Sequence, residues 1–309
     1  MMLQSAFAVL FLVAVPAWHQ SGGKASLAWD QFHRLLQRLL VICVLLAFAS
    51  GFLWLWLAIV GMSGSSLSEA LQPSLFWMVL SQTPPGHVWL LRAAIALVFA
   101  VALFFVRGTR REGKGASLAP SLCALSATLL TASLAWLGHA GAGEGPNQNL
   151  QLASDLLHLM AVGIWPAGLV PLAMFLRCFL KTRDPAALLT ACVATRRFSA
   201  LSLLTVAILA MSGVANTYFL VGTLHALLST DYGRLLLLKL ALFAATIGIG
   251  AWNLLLTPRS VVVGGPPSGE AENAALAKIV RNVLIEIALV TLILLVVGLL
   301  GITPPAMHA

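Results

Sequence analysis

Long apolar runs constrain the fold of this sequence more than any other feature. A helix needs about 20 predominantly apolar residues to cross the roughly 30 Å hydrocarbon core of a bilayer. The runs are apolar on all sides and lack the period-two alternation of membrane β-barrel strands, so each is predicted to be a helix. An all-α integral membrane protein with eight transmembrane helices is therefore predicted. The eight runs are Leu3–Trp18, Leu39–Val60, Val88–Val106, Leu118–Gly138, Leu152–Leu176, Ser199–Leu220, Tyr232–Leu256 and Asn282–Ile302.

Composition supports a surface that faces lipid. Charged residues make up 9% of the chain and hydrophobic residues 60%, whereas a soluble domain carries roughly a quarter charged residues. The lipid bilayer is therefore the first predicted partner. The net charge of +8 is expected for a membrane protein whose cytoplasmic loops are basic. No basic and aromatic patch is long enough to indicate binding of nucleic acid.

Basic residues alternate between loops and so predict the orientation. Alternate loops hold 15 of the 18 Lys and Arg residues, and the remaining loops hold only Arg92, Arg234 and Lys239. Basic loops stay in the cytoplasm, so both termini are predicted to be periplasmic. The run Leu3–Trp18 has no Lys or Arg before it, and we interpret it as a retained first helix and not as a signal peptide. The basic set is Lys24, Arg34, Arg38, Arg107, Arg110, Arg111, Lys114, Arg177, Lys181, Arg183, Arg196, Arg197, Arg259, Lys278 and Arg281.

The chain is interpreted as one polytopic membrane domain over residues 1–309, with two halves, 1–138 and 139–309, that resemble each other. Thr83–Arg92 opens the third predicted helix, and Thr230–Lys239 opens the seventh. Both segments read T-x-x-G-x-x-x-x-x-[RK]. They favour a parallel repeat of two four-helix units. The alternative is a chance match, since apolar helices resemble one another.

Histidines near the predicted periplasmic side are the candidate metal ligands. His139 follows the fourth predicted helix, and Asp155 and His158 open the fifth. Residues three apart share a helix face, and imidazole binds copper, zinc and iron alike. His87, which opens the third predicted helix on the same side, is a candidate third ligand, as is Met62. The alternative interpretation is that His158 makes a polar contact between helices and that His139 is a solvated loop residue.

Other polar residues lie inside the predicted helices. Thr205, Ser212 and Asn216 share one face of the sixth helix, where they either line a path or hydrogen-bond between helices. Glu286 lies about one turn inside the eighth helix, with Arg281 and Arg197 as its expected partners, and Lys239 and Arg92 are expected to pair with Asp155 or Asp231 or to reach outward. The four cysteines lack a tight metal spacing and are expected to be unpaired core residues. No G-x-x-x-x-G-K-[ST] motif is present, and no enzymatic activity is predicted.

Several of these landmarks resemble the copper resistance protein D (CopD) family. The segment Asp155–Gly168, with the sequence DLLHLMAVGIWPAG, is similar to the family's signature helix. The similarity continues through later segments and covers roughly residues 133–305. A proline at position 166 departs from the family pattern and predicts a kink in the fifth helix. The later segments are Arg197–Ser199 leading to Ser212–Asn216, Tyr232–Leu242, and the helix of Glu286 ending in Gly301–Pro305.

The resemblance implies a multi-pass protein of the bacterial inner membrane that moves copper, as Cu(I) or Cu(II), from periplasm to cytoplasm or confers copper tolerance. It also implies a small periplasmic copper-binding partner of the CopC type. We expect His139 and His158 to hold one copper ion, with Asp155 as a ligand or as a partner of a ligand. Two alternatives remain open. One is a haem-binding or redox membrane protein, and the other is a non-transporting membrane partner of a periplasmic copper protein.

Overall fold

The computed structural model describes residues 1–23, 26–108, 118–137, 147–182, 184–256 and 269–304. This part of the chain contains eight helices that are long and apolar enough to cross a membrane, and it contains no strand. The predicted all-α class and helix count are therefore confirmed. The helices are α1 (Met2–Gln20), α2 (Leu27–Ser63), α3 (Pro84–Val106), α4 (Leu118–Leu137), α5 (Gln148–Leu180), α6 (Pro185–Val221), α7 (Asp231–Leu256) and α8 (Glu270–Ile302).

Several helices are longer than the apolar runs that predict them. Helices α2 and α6 have 37 residues each, and α8 has 33, more than the roughly 20 that a bilayer core requires. Most of the added length lies at the ends where the basic residues cluster. The first turn of α6 is capped. The Asp184 side chain accepts a hydrogen bond from the amide of Ala186 at 3.1 Å, and Pro185 occupies the first helical position.

Helix α5 is interrupted where the sequence predicts a kink. Its regular parts are Gln148–Ile164 and Leu169–Leu180, separated by a turn at residues 165–168. Pro166 has no amide N–H to donate to the preceding turn. A Cβ on Gly168 would collide with the carbonyl oxygen of Ile164 and meet the ring of Phe198. The proline and this glycine together allow the helix to change direction in the middle of the protein.

The core of the protein lies along α1 and α5. The pairs α3–α4, α5–α6 and α7–α8 pack as neighbouring hairpins, while α1 packs against α2, α4, α5 and α6. The second part of α5 packs against α2, α6 and α8, and its Phe175 ring lies 5.0 Å from the Phe32 ring of α2. Large apolar side chains on the outside, such as Phe104 and Leu255, are exposed, as expected for a surface that contacts lipid.

Two short helices, Pro73–Gln82 and Leu224–Ser229, precede α3 and α7. At each junction a threonine, Thr83 or Thr230, donates to the carbonyl four residues earlier at 2.7 Å. The same hydroxyls accept from the amides of Gly86 and Gly233 at 3.1 Å and 3.0 Å. A Cβ on either glycine would collide with carbonyl groups of the preceding short helix. The repeated sequence motif thus forms the same junction twice, while the repeat of whole halves stays a prediction.

The periplasmic position of both termini also stays a prediction. We use "predicted outer side" for the end of the bundle at which α3, α5 and α7 begin. All four cysteines are unpaired, and Cys123, Cys178 and Cys192 are buried. They serve as small apolar core residues.

Candidate functional site

The first turns of α5 meet α6 through a pair of polar contacts. His158 Nδ1 lies 3.0 Å from Ser212 Oγ, and Ser154 Oγ donates to the carbonyl oxygen of Ser212 at 3.2 Å. Ser154 and Ser212 are 7% and 5% exposed, so both contacts lie inside the protein. Ser154 and His158 lie one helical turn apart on α5. Their two contacts with Ser212 fix the register of α5 against α6 and hold the His158 ring against α6.

The partners of Ser212 determine the tautomer of His158. Ser212 Oγ lies 2.6 Å from the carbonyl oxygen of Ile208, to which it donates. A hydroxyl has one hydrogen, so Ser212 accepts from His158 Nδ1–H. The lone pair of the neutral imidazole is then on Nε2, which makes no hydrogen bond within the described part of the chain. A histidine held through one nitrogen with the other available is the arrangement typical of metal ligands.

Asp155 and Lys239 add opposite charges beside this histidine. Asp155 lies one turn before His158 on α5, and the Lys239 ammonium of α7 acts electrostatically on both residues. Of the two partners expected for Lys239, the structure thus favours Asp155, since Asp231 pairs with Arg234 at 3.4 Å. Because the carboxylate offsets the ammonium charge, the site repels a metal cation less than Lys239 alone would.

Asn216 contributes a buried acceptor that lacks a donor. It lies one turn from Ser212 on the same face of α6, and its Oδ1 atom is buried without a hydrogen-bond partner in the described structure. Because α6 ends on the predicted outer side, Asn216 lies outward of the contacts that Ser212 makes with α5. An unsatisfied buried oxygen is costly, so a donor or a cation there would stabilise the protein. Imidazole nitrogen with carboxylate and amide oxygens suits divalent copper.

The other predicted ligands differ in what the structure says of them. His139 lies in residues 138–146, outside the described part of the chain. His87 is exposed, with its Nε2 atom 2.9 Å from the carbonyl oxygen of Ser81, and Met62 is also exposed. Within the described ranges, no three His, Cys, Asp or Glu residues are grouped to hold a metal ion. The described part therefore contributes His158 and Asp155, and the full ligand set stays a prediction.

A second polar cluster joins α7 to α8 toward the opposite end. Asn253 Nδ2 donates to Glu286 Oε1 at 2.6 Å, and Asn282 Nδ2 donates to Asn253 Oδ1 at 2.8 Å. All three side chains are buried. The expectation that Arg281 or Arg197 pairs with Glu286 is wrong, because the α7–α8 hairpin places Asn253 opposite the carboxyl group. Arg197 instead donates to the carbonyl oxygen of Leu12 at 3.1 Å.

Sequence reasoning missed Gln4 as a contact between α1 and α5. Its Nε2 atom donates to the carbonyl oxygen of Met160 at 3.4 Å, and its Oε1 atom is buried without a partner in the described structure. A Cβ on Gly163 would occupy the space of the Gln4 amide. The sequence feature that could have identified Gln4 is its position as a lone amide within the apolar run Leu3–Trp18. Polar groups inside membrane helices usually contact other helices.

Eight apolar helices, with a half-buried imidazole, carboxylate and amide on α5 and α6, define a polytopic membrane protein with a candidate cation site. Comparison with known families makes the class specific. Residues 1–149 match the model described as copper resistance protein D-like, N-terminal domain, and residues 193–300 match the model of copper resistance protein D. The chain belongs to the copper resistance protein D family, which confirms the resemblance noted in the sequence.

Curated relatives carry related names. Copper resistance protein D of Pseudomonas syringae pv. tomato is 32% identical over 239 residues, covering 75% of this chain and 72% of the relative. Inner membrane protein YebZ of Escherichia coli is 28% identical over 246 residues, covering 79% and 77%. Copper transport protein CutJ of Bacillus subtilis is 30% identical over 196 residues, covering 63% of this chain but only 35% of the relative. No solved structure shows a significant match.

Proposed function

We propose that this protein moves copper from the periplasm to the cytoplasm across the bacterial inner membrane, through a site at His158 on the predicted outer side. The observation that carries the proposal is the bond from His158 Nδ1 to Ser212, which leaves the Nε2 lone pair available inside a membrane-spanning helix. Polar and ionisable groups within a membrane usually serve a function, because they are costly there.

Family membership supports copper as the cargo. Two of the relatives are named for copper resistance and copper transport. The chain spans 35% of the length of CutJ, so that relative's activity as a whole is no more than a guide. Imidazole with carboxylate and amide oxygens is a donor set that copper accepts, which agrees with these names.

The ligand set of the proposed site extends from α5 to the preceding loop. His158 supplies one imidazole and His139 a second, while Asp155 binds the ion or orients a ligand, and His87 is a further candidate. Before copper binds, the Lys239 ammonium attracts the Asp155 carboxylate and holds it in place. A bound copper ion would attract the same carboxylate. A small periplasmic copper-binding protein of the CopC type would deliver the ion to this side.

A path inward follows from the polar face of α6. Asn216, Ser212 and Thr205 lie on it in order from the predicted outer side, and Thr205 is 2% exposed. Thr205 Oγ1 donates to the backbone of its own helix at 3.0 Å, and its oxygen keeps the capacity to accept. We propose that the ion passes along this face toward the cluster of Asn253 and Glu286.

Copper binding by the purified protein tests the site. We expect wild type to bind copper and His158→Ala and His139→Ala to lose most of the affinity, while Asp155→Asn weakens it by about 10–100-fold if the carboxylate acts through a ligand. His225→Ala is the matched control, because His225 is an exposed histidine on the same predicted side. Metal content and a titration against a copper chelator give the affinities.

Two outcomes would contradict the proposal. If His139→Ala and His158→Ala both bind copper like wild type, the histidines are structural and the copper site lies elsewhere. If the purified protein carries haem, visible as a Soret absorption band that His158→Ala removes, the histidine serves a redox cofactor and not copper transport.

A further inference from the structure

A cavity of about 650 Å³ lies in the first half of the protein, among α1, α2, α3 and α4. This volume falls within the range of about 300–1,000 Å³ typical of small-molecule sites. Its walls are mostly apolar and include Trp54 of α2 and Trp89 of α3. Trp89 Nε1 donates to the carbonyl oxygen of Gly51 at 2.9 Å, which holds the indole ring in the wall between the two helices.

Arg92 is the charged side chain among the residues that line this mostly apolar cavity, and the amino group of Met1 is a second basic group beside it. Arg92 Nη1 donates to the carbonyl oxygen of Leu130 at 3.0 Å and to Ser133 Oγ. The remaining guanidinium N–H groups make no hydrogen bond within the described ranges, and no carboxylate there pairs with Arg92. A guanidinium inside a membrane span is expected to have an anionic partner, because desolvating its charge is costly.

In the second half of the chain, the cation at the equivalent position has a carboxylate beside it. Arg92 and Lys239 occupy the same place in the repeated T-x-x-G-x-x-x-x-x-[RK] motif. The ammonium group of Lys239 is attracted by Asp155 on α5. The described part of the first half offers Arg92 no such carboxylate, so the anion is expected to come from a bound molecule.

The walls of the cavity indicate where that molecule comes from. Leu46 and Phe48 line the cavity and are 62% and 42% exposed, and Trp54 is 40% exposed. These large apolar side chains belong to the membrane-spanning helix α2, so the cavity opens toward the acyl chains of the bilayer. An open apolar wall suits an acyl chain, whereas a small soluble anion would gain nothing from it.

We propose that this cavity binds an anionic phospholipid, with its phosphate group at Arg92 and an acyl chain along the wall formed by α2 and α3. A guanidinium binds phosphate through two parallel N–H···O bonds, and the N–H groups of Arg92 that are not used by Leu130 and Ser133 provide them. The indole rings of Trp54 and Trp89 pack against the glycerol and upper acyl region, where indoles are enriched in membrane proteins. The lipid completes the ion pair that Asp155 makes in the other half.

Native mass spectrometry of delipidated protein in mild detergent tests this proposal without copper. Phosphatidylglycerol, phosphatidylcholine with the same acyl chains, and glycerol 3-phosphate are titrated separately. Wild type should retain phosphatidylglycerol and bind the other two at least about tenfold more weakly, since both the charged hydrogen bonds and the acyl chain contribute. Arg92→Gln should lose about tenfold or more in phosphatidylglycerol affinity.

Two variants separate the cavity from general effects. Ala96→Phe keeps Arg92 but places a ring among the lining residues, and it should reduce phosphatidylglycerol binding as Arg92→Gln does. Arg234→Gln is the matched control, because Arg234 lies on the predicted outer side, is 68% exposed and pairs with Asp231. It should bind the lipid like wild type.

Three results would overturn the proposal. They are equal phosphatidylglycerol binding by wild type and Arg92→Gln, equal binding of phosphatidylcholine and phosphatidylglycerol by wild type, and equal binding of glycerol 3-phosphate and the lipid. If Arg92→Gln does not fold, the Ala96→Phe variant decides, and unchanged lipid binding by that variant would exclude the cavity as the site.

Discussion

A single hydroxyl group determines how His158 can act. Ser212 donates its one hydrogen to the backbone of α6 and accepts the Nδ1 hydrogen of the imidazole. Without this acceptor the ring could rotate, and either nitrogen could carry the hydrogen. Partners of this kind raise the basicity of a ligand and hold it in position. At the scale of residues, copper affinity is therefore expected to depend on Ser212 as well as on His158.

Replacing Ser212 with alanine should weaken copper binding by about 10–100-fold, the usual effect of removing a hydrogen-bond partner of a ligand. Ser202→Ala is the control, because the Ser202 hydroxyl donates to the carbonyl of Phe198 in the same helix at 2.8 Å and no histidine bonds to it. A chelator competition titration measures both variants. Equal affinities for Ser212→Ala and wild type would show that Ser212 does not position the ring.

The sequence predicts some of these residues and not others for a physical reason. Asp155 and His158 stand out because a spacing of three places them on one helix face. The bonds from His158 to Ser212 and from Asn253 to Glu286 depend on the register between two helices. Each helix is apolar on most sides, so its periodicity does not fix which face meets which neighbour. The prediction that Arg281 or Arg197 pairs with Glu286 was wrong for this reason.

At the scale of elements, the junctions before α3 and α7 depend on glycine. Gly233 lies where the start of α7 passes directly over the carbonyl groups that end the short helix Leu224–Ser229. Gly86 has the same surroundings before α3. Gly248, farther along α7, has no heavy atom within 4 Å of the position that a Cβ would take. A methyl group would therefore collide with the backbone at Gly86 and Gly233 but meet open space at Gly248.

Gly233→Ala should destabilise the protein by about 1–3 kcal/mol, because the added methyl group forces the backbone to move. Gly86→Ala should do the same if the two junctions are equivalent. Gly248→Ala should be neutral or stabilise by about 0.5–1 kcal/mol, since alanine is preferred over glycine inside a helix. Thermal unfolding in detergent compares the three. A melting temperature for Gly233→Ala equal to that of Gly248→Ala would contradict this account of the junction.

Element number and type follow from the sequence more directly than element length. Apolar runs reveal the parts of helices that are long and apolar enough to cross a membrane, so the eight spans are predicted correctly. The extensions of α2, α6 and α8 mix charged with apolar residues, so they lie outside the continuous apolar runs. The break in α5 is predicted because proline lacks an amide hydrogen, whereas the glycine at 168 that completes it is recognised only from its contacts with Ile164 and Phe198.

At the scale of the whole molecule, both halves contain the same junction, but the cations that follow it, Arg92 and Lys239, have different surroundings. In the second half Lys239 interacts electrostatically with Asp155 and His158, while in the first half Arg92 lines a mostly apolar cavity. Our two proposals use this difference, with copper in the second half and a lipid in the first. They also require both cations to lie toward the same side of the membrane.

Reporter fusions test that orientation. Fusions after Arg111 and after Arg183 should report a cytoplasmic position, because basic loops are retained on that side. A fusion after Gly143, between the end of α4 and the start of α5 in the sequence, should report a periplasmic position. A cytoplasmic signal at Gly143 would reverse the orientation and place His158 on the wrong side for uptake from the periplasm.

Copper uptake into proteoliposomes tests the central claim most directly. Purified wild type, His158→Ala and the control His225→Ala are reconstituted, and copper is added outside with a topology assay to correct for orientation. We predict that wild type and His225→Ala accumulate copper inside the vesicles and that His158→Ala reduces the rate at least about tenfold, as expected for loss of a ligand. Uptake by His158→Ala at the wild-type rate, or no uptake by wild type above protein-free vesicles, would contradict copper transport through His158.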